Sequence, residues 1–325
     1  MSFWAAASLG MSDADVVIPL ARAAGRLAPS LHAHGVASSL WAASKLCKDR
    51  PDIWRPLTFA AARVAPAFTA QEAASCLFAA ATLGSIVGDV WKPLIKAAKR
   101  GAPDFTTQEA ANSFWAAATL GVQDVATWKT LARAAARLAP SLLCPHAAAS
   151  SFWAASKLSV RDPAVVLPLA QAACRHATAL SATDAASCFS AAAGLGVSDS
   201  ALVLPLAQAA CRHAPALSAS DAARSLNAAA VLGVSDPAIL LPLARAAGRH
   251  APTMNLEQAG AVLQAHYGGA TLLRRKLTLA AGYGASVLIP FFDWDGRGDD
   301  VRRAMLQRHL AAALAPPPLP PKDTA

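Results

Sequence analysis

A segment of 37 residues recurs along most of this chain, and this recurrence constrains the fold more than any other feature. The pair Phe114–Trp115 marks one copy. The equivalent pairs are Phe3–Trp4, Leu40–Trp41, Leu77–Phe78, Phe152–Trp153, Phe189–Ser190, Leu226–Asn227 and Leu263–Gln264, with a single step of 38 residues between the fourth and fifth copies. A second landmark keeps the same spacing: Pro29, Pro66, Pro103, Pro140, Thr178, Pro215 and Pro252. Two independent landmarks with one spacing predict a tandem-repeat protein.

Each repeat has the pattern of two short helices, A and B, joined by a turn. Helix A begins at a capping-box spacing, in which a hydroxyl and a carboxylate satisfy free amides. These pairs are Thr69/Glu72, Thr106/Glu109, Ser181/Asp184 and Ser218/Asp221. Helix A ends at a Leu-Gly pair such as Leu120–Gly121, where glycine suits a left-handed cap. An aspartate such as Asp124 or Asp236 is placed to cap helix B.

A proline follows that aspartate by several residues in most repeats: Pro56, Pro93, Pro168, Pro205 and Pro242. Proline in a helix interior removes a hydrogen bond and clashes with the preceding turn. Helix B therefore either begins later, near the proline, or is kinked there. We favour the later start.

These signals predict an all-α fold, an α-solenoid of tandem helix–turn–helix repeats with a right-handed superhelix and a C-terminal capping helix. We assign residues 1–284 to the array, 285–315 to the cap and 316–325 to a proline-rich disordered tail. Within the array a partial repeat covers 1–30, complete repeats cover 31–67, 68–104, 105–141, 142–179, 180–216 and 217–253, and a degenerate repeat covers 254–284.

The charge balance favours an anionic partner. The formal net charge is +9 and the isoelectric point is about 9.6. Such a charge is typical of proteins with an anionic partner, of which nucleic acid is the first candidate and anionic lipid the second. Apolar residues make up 55% of the chain, but charged residues or prolines interrupt every repeat, so we expect no membrane-spanning segment. The six cysteines show no paired spacing and are predicted to be small core residues in a reducing compartment.

One stripe of helix A is polar and varies from repeat to repeat, as a ligand-reading face does. The candidate contacts that we select from it are Ser38, Lys45, Ser75, Asn112, Thr119, Ser150, Lys157, Arg224 and Asn227. An ordinary solvated face is the competing interpretation. The same stripe carries an aromatic column: Trp4, Trp41, Phe78, Trp115 and Trp153. These rings either stack on unpaired bases or fill the space between alanine-rich repeats.

Helix B carries an arginine at one position of every repeat: Arg26, Arg63, Arg100, Arg137, Arg175, Arg212 and Arg249. Seven arginines at one per repeat form a ladder that is suited to successive phosphates. Two structural interpretations compete with this one. Each guanidinium either pairs with the turn aspartate or caps a C-terminal carbonyl of helix B.

The sequence contains no arrangement typical of catalysis. There is no P-loop, no nucleophile elbow and no Cys–His pair at a useful spacing, so we expect no enzyme, no cofactor and no small-molecule substrate. His176, His213 and His250 are one repeat apart, too far to share a metal ion, and are predicted to pack or face solvent. The aspartates between Asp293 and Asp300 are explained as a polar loop before a helix.

The repeats resemble octotricopeptide repeats and the closely related heptatricopeptide repeats. The segments that carry the resemblance are SLWAASKL (39–46), SFWAAATLG (113–121) and SFWAASKL (151–158), together with the helix B positions of Trp54, Trp91 and Trp128. The resemblance extends over about residues 2–280, and the 37-residue step matches the heptatricopeptide form. The last repeats lack the helix B tryptophan, and the C-terminal RAP domain of some family members is not recognisable.

The resemblance implies a non-catalytic α-solenoid that binds single-stranded RNA in a mitochondrion or chloroplast and acts in RNA stability, processing or translation. On this hypothesis the nine candidate residues contact bases and the seven arginines contact phosphates. We recognise no targeting signal in the chain, so the organelle is an expectation from the resemblance alone. The alternative is a protein–protein interaction scaffold that binds no nucleic acid.

Overall fold

The computed structural model describes residues 2–84 and 90–250. The chain divides into two compact units, residues 1–172 and 173–325, and each is described by itself. Every regular element of the described residues is helical. The predicted degenerate repeat (254–284), cap (285–315) and tail (316–325) lie outside the described residues, as do the aspartates of the predicted polar loop.

The helices are short and end in 3-10 turns or tight loops. Those of the N-terminal unit are α1 (Ser2–Ser8), α2 (Ala14–Leu27), α3 (Ala33–Leu46), α4 (Pro51–Val64), α5 (Ala70–Thr82), α6 (Trp91–Gly101), α7 (Thr107–Thr119), α8 (Val125–Leu138) and α9 (Pro145–Lys157). Helix α10 (Pro163–Arg175) begins in this unit and ends in the next. The described helices of the C-terminal unit are α11 (Ala182–Leu195), α12 (Ser200–Arg212), α13 (Ala219–Val231) and α14 (Pro237–His250).

Helices of the N-terminal unit pack in two rows. In the A row, α1, α3, α5, α7 and α9 each contact the next member, and in the B row, α2, α4, α6 and α8 do the same. Each A-row helix from α1 to α7 also packs on the B-row helix that follows it in sequence. In the C-terminal unit α11 contacts α13, α12 contacts α14, and α11–α12 and α13–α14 form pairs. This arrangement is consistent with an α-solenoid; the repeat boundaries and the right-handed superhelix stay predictions.

Alanine and a few large side chains form the core between the rows. Leu40, Leu77 and Phe114 occupy one position of successive A-row helices and are fully buried. Leu57 and Leu131 of the B row are fully buried as well. Most of the remaining core is alanine, which allows helix axes to approach to about 8 Å. The landmark that defines the repeat in the sequence is therefore a core position.

Two of the four capping boxes predicted at the start of helix A are complete, and the other two are formed on the hydroxyl side only. Thr69 accepts a hydrogen bond from the Glu72 amide at 3.3 Å, and the Glu72 carboxylate accepts one from the Thr69 amide at 3.0 Å. Thr106 and Glu109 of α7 form the same reciprocal pair. Ser181 and Ser218 cap α11 and α13 through the side-chain oxygen, while their own hydroxyls donate to the aspartate three residues on.

The predicted late start of helix B is wrong in four of the repeats. Helices α4, α10, α12 and α14 begin directly after the turn and carry Pro56, Pro168, Pro205 or Pro242 inside. In α10, α12 and α14 an aspartate caps the helix start; for example, Asp199 accepts the Ala201 amide at 2.9 Å. Helix α4 has no side-chain cap and begins instead with Pro51 at its first position, where proline is favourable. Because the carbonyl that each proline leaves without a partner lies in the first turn, near the fraying helix end, the loss is tolerated.

The glycines after helix A are left-handed, as predicted. Gly84, Gly121, Gly196 and Gly233 have φ between 62° and 69°. Ser159 occupies the same place after α9 with φ of 52°. Among the described residues it is the one residue other than glycine with a positive φ. A left-handed conformation costs a residue with a Cβ roughly 1 kcal/mol or more.

The structure bears on two further predictions, the one about membrane-spanning segments and the one about the burial of the cysteines. Among the described residues, no helix combines the length and the apolarity that a bilayer crossing needs. All six cysteines are free thiols, and Cys47, Cys76 and Cys188 are buried as predicted. Cys144 is exposed instead, because it precedes α9 in the connecting loop and does not lie on a packed face.

Candidate nucleic-acid interface

The A row presents a groove at its first three helices. It has a volume of about 370 Å³ and is bordered by Trp4 of α1, Trp41 and Ser38 of α3, and Gln71 and Ser75 of α5. His34 and Glu72 complete the polar lining, with 3.6 Å between His34 Nδ1 and Glu72 Oε1. Residues of the predicted polar stripe on successive helices therefore meet on one surface.

The aromatic column continues along the same surface. The Lys45 ammonium lies 5.7 Å from the ring centroid of Trp41 and 5.8 Å from that of Phe78. Phe78 and Trp115 have centroids 5.2 Å apart with their planes tilted by 43°. Packing between helices accounts for these two rings, as the space-filling interpretation predicts. Trp4 is 43% exposed and makes no ring contact with another described residue.

The other candidate contacts of the N-terminal unit are partly committed to their own helices. Thr119 donates to the Trp115 carbonyl at 2.9 Å, and Ser150 donates to the Ala147 carbonyl at 3.2 Å. Asn112 accepts a hydrogen bond from Gln108 at 2.9 Å. Lys157 is exposed at the end of α9. The groups best placed for a ligand are thus Ser38 and Ser75, which line the groove.

Two candidates, Arg224 and Asn227, lie in the C-terminal unit on α13. Arg224 forms a close ion pair with Asp221, which is only 6% exposed. Asn227 Oδ1 and Arg224 Nε are buried and have no hydrogen-bond partner. Arg224 stands where the N-terminal repeats have a serine, such as Ser38, and Asn227 stands where they have an aromatic ring, such as Trp41. This part of the stripe therefore has a charged and an amide side chain in place of a hydroxyl and a ring.

The arginine column makes contacts that join successive repeats. Five of the seven guanidiniums donate to a backbone carbonyl that lies 32 to 35 residues earlier, in or beside the 3-10 turn that follows the preceding helix B. The pairs are Arg63 with Leu31, Arg100 with Ala65 and Phe68, Arg137 with Ala102 and Pro103, Arg212 with Ala177, and Arg249 with Ala214. Their distances run from 2.7 to 3.4 Å.

These contacts correspond to the capping interpretation, with one difference that the sequence does not reveal. The capped carbonyls lie at the end of the preceding helix B or just after it, and not in the helix that carries the arginine. The contact satisfies carbonyls that a helix end leaves without partners. A guanidinium has five N–H donors, so these bonds leave donors for a ligand. The phosphate ladder stays a prediction.

Histidines reinforce the same junction in the C-terminal unit. His213 Nε2 lies 2.9 Å from the Leu180 carbonyl, and His250 Nε2 lies 2.9 Å from the Leu217 carbonyl. Because a carbonyl only accepts, Nε2 carries the proton in both rings. The predicted packing role therefore applies to these two residues. Within the described ranges, no group of three metal-binding side chains comes together.

A second groove lies on the B row, at a place that the sequence analysis missed. It has a volume of about 340 Å³ and is bordered by Val125, Trp128, Lys129 and Arg133 of α8 and by the loop from Ser159 to Asp162. The Lys129 ammonium lies 6.0 Å from the Trp128 ring centroid. The signal that could have found it is the helix B tryptophan column. Trp54, the equivalent residue on α4, is instead buried, and its indole donates to the Lys48 carbonyl at 3.1 Å.

Burial and hydrogen bonding shift the pKa of several side chains. Burial raises the pKa of the Cys174 thiol to about 11 and raises the pKa of Cys76 and Cys188 further. A hydrogen bond from Thr127 lowers the pKa of Asp124, the cap of α8. None of these groups lies in the A-row groove.

A scan against protein-family models gives no match for this chain, and a search among curated proteins finds no significant similarity.

Proposed function

We propose that this protein is a non-catalytic RNA-binding α-solenoid that holds single-stranded RNA along the A-row surface. By the resemblance of its repeats, it acts in a mitochondrion or chloroplast, in RNA stability, processing or translation. The observation that carries the proposal is the row from Trp4 through Trp41 to Trp115, which shares one face with Ser38 and Ser75. Base stacking on aromatic rings and hydrogen bonds to base edges are the two interactions by which proteins read unpaired RNA.

The basic charge of the chain supports the same partner. Lys45 and Lys157 project from the ends of A-row helices, near where a strand on that surface has its phosphates. The column arginines are already bonded to backbone, so we assign them a lesser part in phosphate binding. Two neutralised phosphates give a log–log salt slope of about −1.4, whereas seven give a slope near −5.

Binding of labelled oligonucleotides to the full chain tests the proposal. We expect a single strand to bind more tightly than a duplex of the same sequence, because paired bases are not free to stack. The salt slope then distinguishes phosphate contacts made by the two lysines from contacts made by all seven column arginines. Equal binding of single strand and duplex, or no binding at low salt, contradicts the proposal.

A protein-binding scaffold is the second candidate, and the B row supports it. Phe59 is 56% exposed on α4 and Val125 is 49% exposed on α8 beside the second groove. Exposed apolar side chains beside charged ones are typical of protein contact surfaces. Substitutions on the B row that abolish partner capture while leaving RNA binding intact would assign this function to that surface.

A further inference from the structure

We propose that the groove between Trp4 and Trp41 is a slot for one unpaired nucleotide base, and that it selects a base with an exocyclic amine, adenine foremost. This inference rests on the proposed function and adds to it a defined site and a base preference.

Along the aromatic column, the space between Trp4 and Trp41 is open. The spaces between Trp41 and Phe78 and between Phe78 and Trp115 are filled. The Lys45 ammonium lies over both Trp41 and Phe78, and Phe78 packs directly on Trp115. Between Trp4 and Trp41 there is instead the groove of about 370 Å³. Trp4 and Trp41 both line this groove, and the Trp4 ring is 43% exposed, so a planar base that enters the groove can contact aromatic rings.

The polar lining of the groove indicates the base. Glu72 Oε2 accepts the Thr69 amide, and its Oε1 faces His34 with capacity for a further donor. A carboxylate only accepts hydrogen bonds, so it favours an exocyclic amine over the carbonyls of uracil. Gln71 is exposed at the edge of the groove, and a glutamine amide pairs with adenine at N6 and N7. Guanine is most often read by arginine or lysine, and neither residue lines this groove.

The chain supplies a matched control for Gln71. Gln108 holds the same position in the next repeat, but its amide already donates to Asn112 at 2.9 Å. The Gln71 amide makes no hydrogen bond with the described residues. Gln71 therefore keeps its whole amide for a base, whereas Gln108 has one of its two N–H donors committed to Asn112.

The test compares two strands that are long enough for about one base per repeat. One strand is all uridine and the other has a single adenosine, and fluorescence anisotropy reports their binding to the full chain. We expect the adenosine strand to bind about tenfold more tightly. Trp4→Ala or Trp41→Ala should weaken its binding about fivefold or more, and Gln71→Ala should bring the ratio of the two affinities close to one.

Three controls keep the outcomes separate. Gln108→Ala and Trp128→Ala should leave the preference intact, and Trp41→Phe, which keeps a ring, should lose less affinity than Trp41→Ala. Variants that bind like the original chain, or equal binding of both strands, overturn the slot and leave RNA binding standing. Absence of any single-strand binding overturns the slot and the proposed function together.

Discussion

Arg249 Nη2 lies 2.8 Å from the backbone oxygen of Ala214, and Arg212 Nη2 lies 2.7 Å from that of Ala177, the equivalent residue one repeat earlier. The same guanidinium-to-carbonyl contact recurs at Arg63, Arg100 and Arg137 in the N-terminal unit. Of the interpretations that the sequence leaves open for this arginine, carbonyl capping is the one that these contacts correspond to.

Replacing Arg212 by lysine tests this link, because lysine keeps the charge but not the planar fork. We expect the free energy of unfolding to fall by about 1–2 kcal/mol, since a charge-assisted hydrogen bond to the Ala177 carbonyl is lost. Urea denaturation followed by circular dichroism measures the change. Arg245→Lys, at an exposed position of α14, is the control. Unchanged stability with weakened RNA binding would favour the phosphate role instead.

The N-cap of α8 predicts a pH dependence. Hydrogen bonding from Thr127 lowers the pKa of Asp124 in the folded chain. The stabilisation is therefore complete above the unfolded value of about 3.9 and is lost as the pH falls through the lower folded pKa. Asp124→Asn keeps a capping side chain without a titrating group. Thermal melts between neutral and strongly acidic pH should show a smaller acid loss in this variant than in the original chain, and parallel curves would contradict the assignment.

The cysteines should react with thiol reagents at very different rates. Cys144 is exposed, whereas burial raises the pKa of Cys174 to about 11 and also raises those of Cys76 and Cys188. The thiolate is the reactive form, so the buried thiols should stay unmodified at neutral pH until the chain unfolds. Brief alkylation followed by peptide mass spectrometry checks the order. Early labelling of Cys76 or Cys188 in the folded protein is the outcome that the structure excludes.

Ser159→Gly should stabilise the protein. Ser159 has φ of 52° at a place where other repeats carry glycine, and removing its Cβ relieves about 1 kcal/mol of backbone strain. Gly121→Ala is the matched reverse change. No atom lies within 4 Å of a Cβ built at Gly121, so only its φ of 64° opposes the substitution. Melting temperatures should move in opposite directions for the two variants, and a shift in the same direction would remove backbone strain as the cause.

The sequence by itself determined that each repeat is a pair of helices and where helix A begins and ends. A hydroxyl three residues before a carboxylate, an aspartate in the turn or a glycine after the helix acts on its own backbone neighbours, as at Thr69, Asp199 and Gly84. The landmark residues Leu40, Leu77 and Phe114 are buried in the structure, and their recurrence at one position follows from the need of each helix A to bury one face. The sequence led to the wrong start for helix B, because each proline falls late enough that its lost hydrogen bond lies in the first turn.

Only the tertiary structure decided which groups meet across repeats. The Arg212 and Ala177 partners are 35 residues apart, and no local rule connects them. Aromatic residues occupy the same position of successive repeats, yet Trp4 and Trp41 border an open groove, whereas Phe78 packs on Trp115 and beside Lys45. Contacts between stacked helices depend on side-chain direction and helix spacing, which the periodicity of a sequence does not specify.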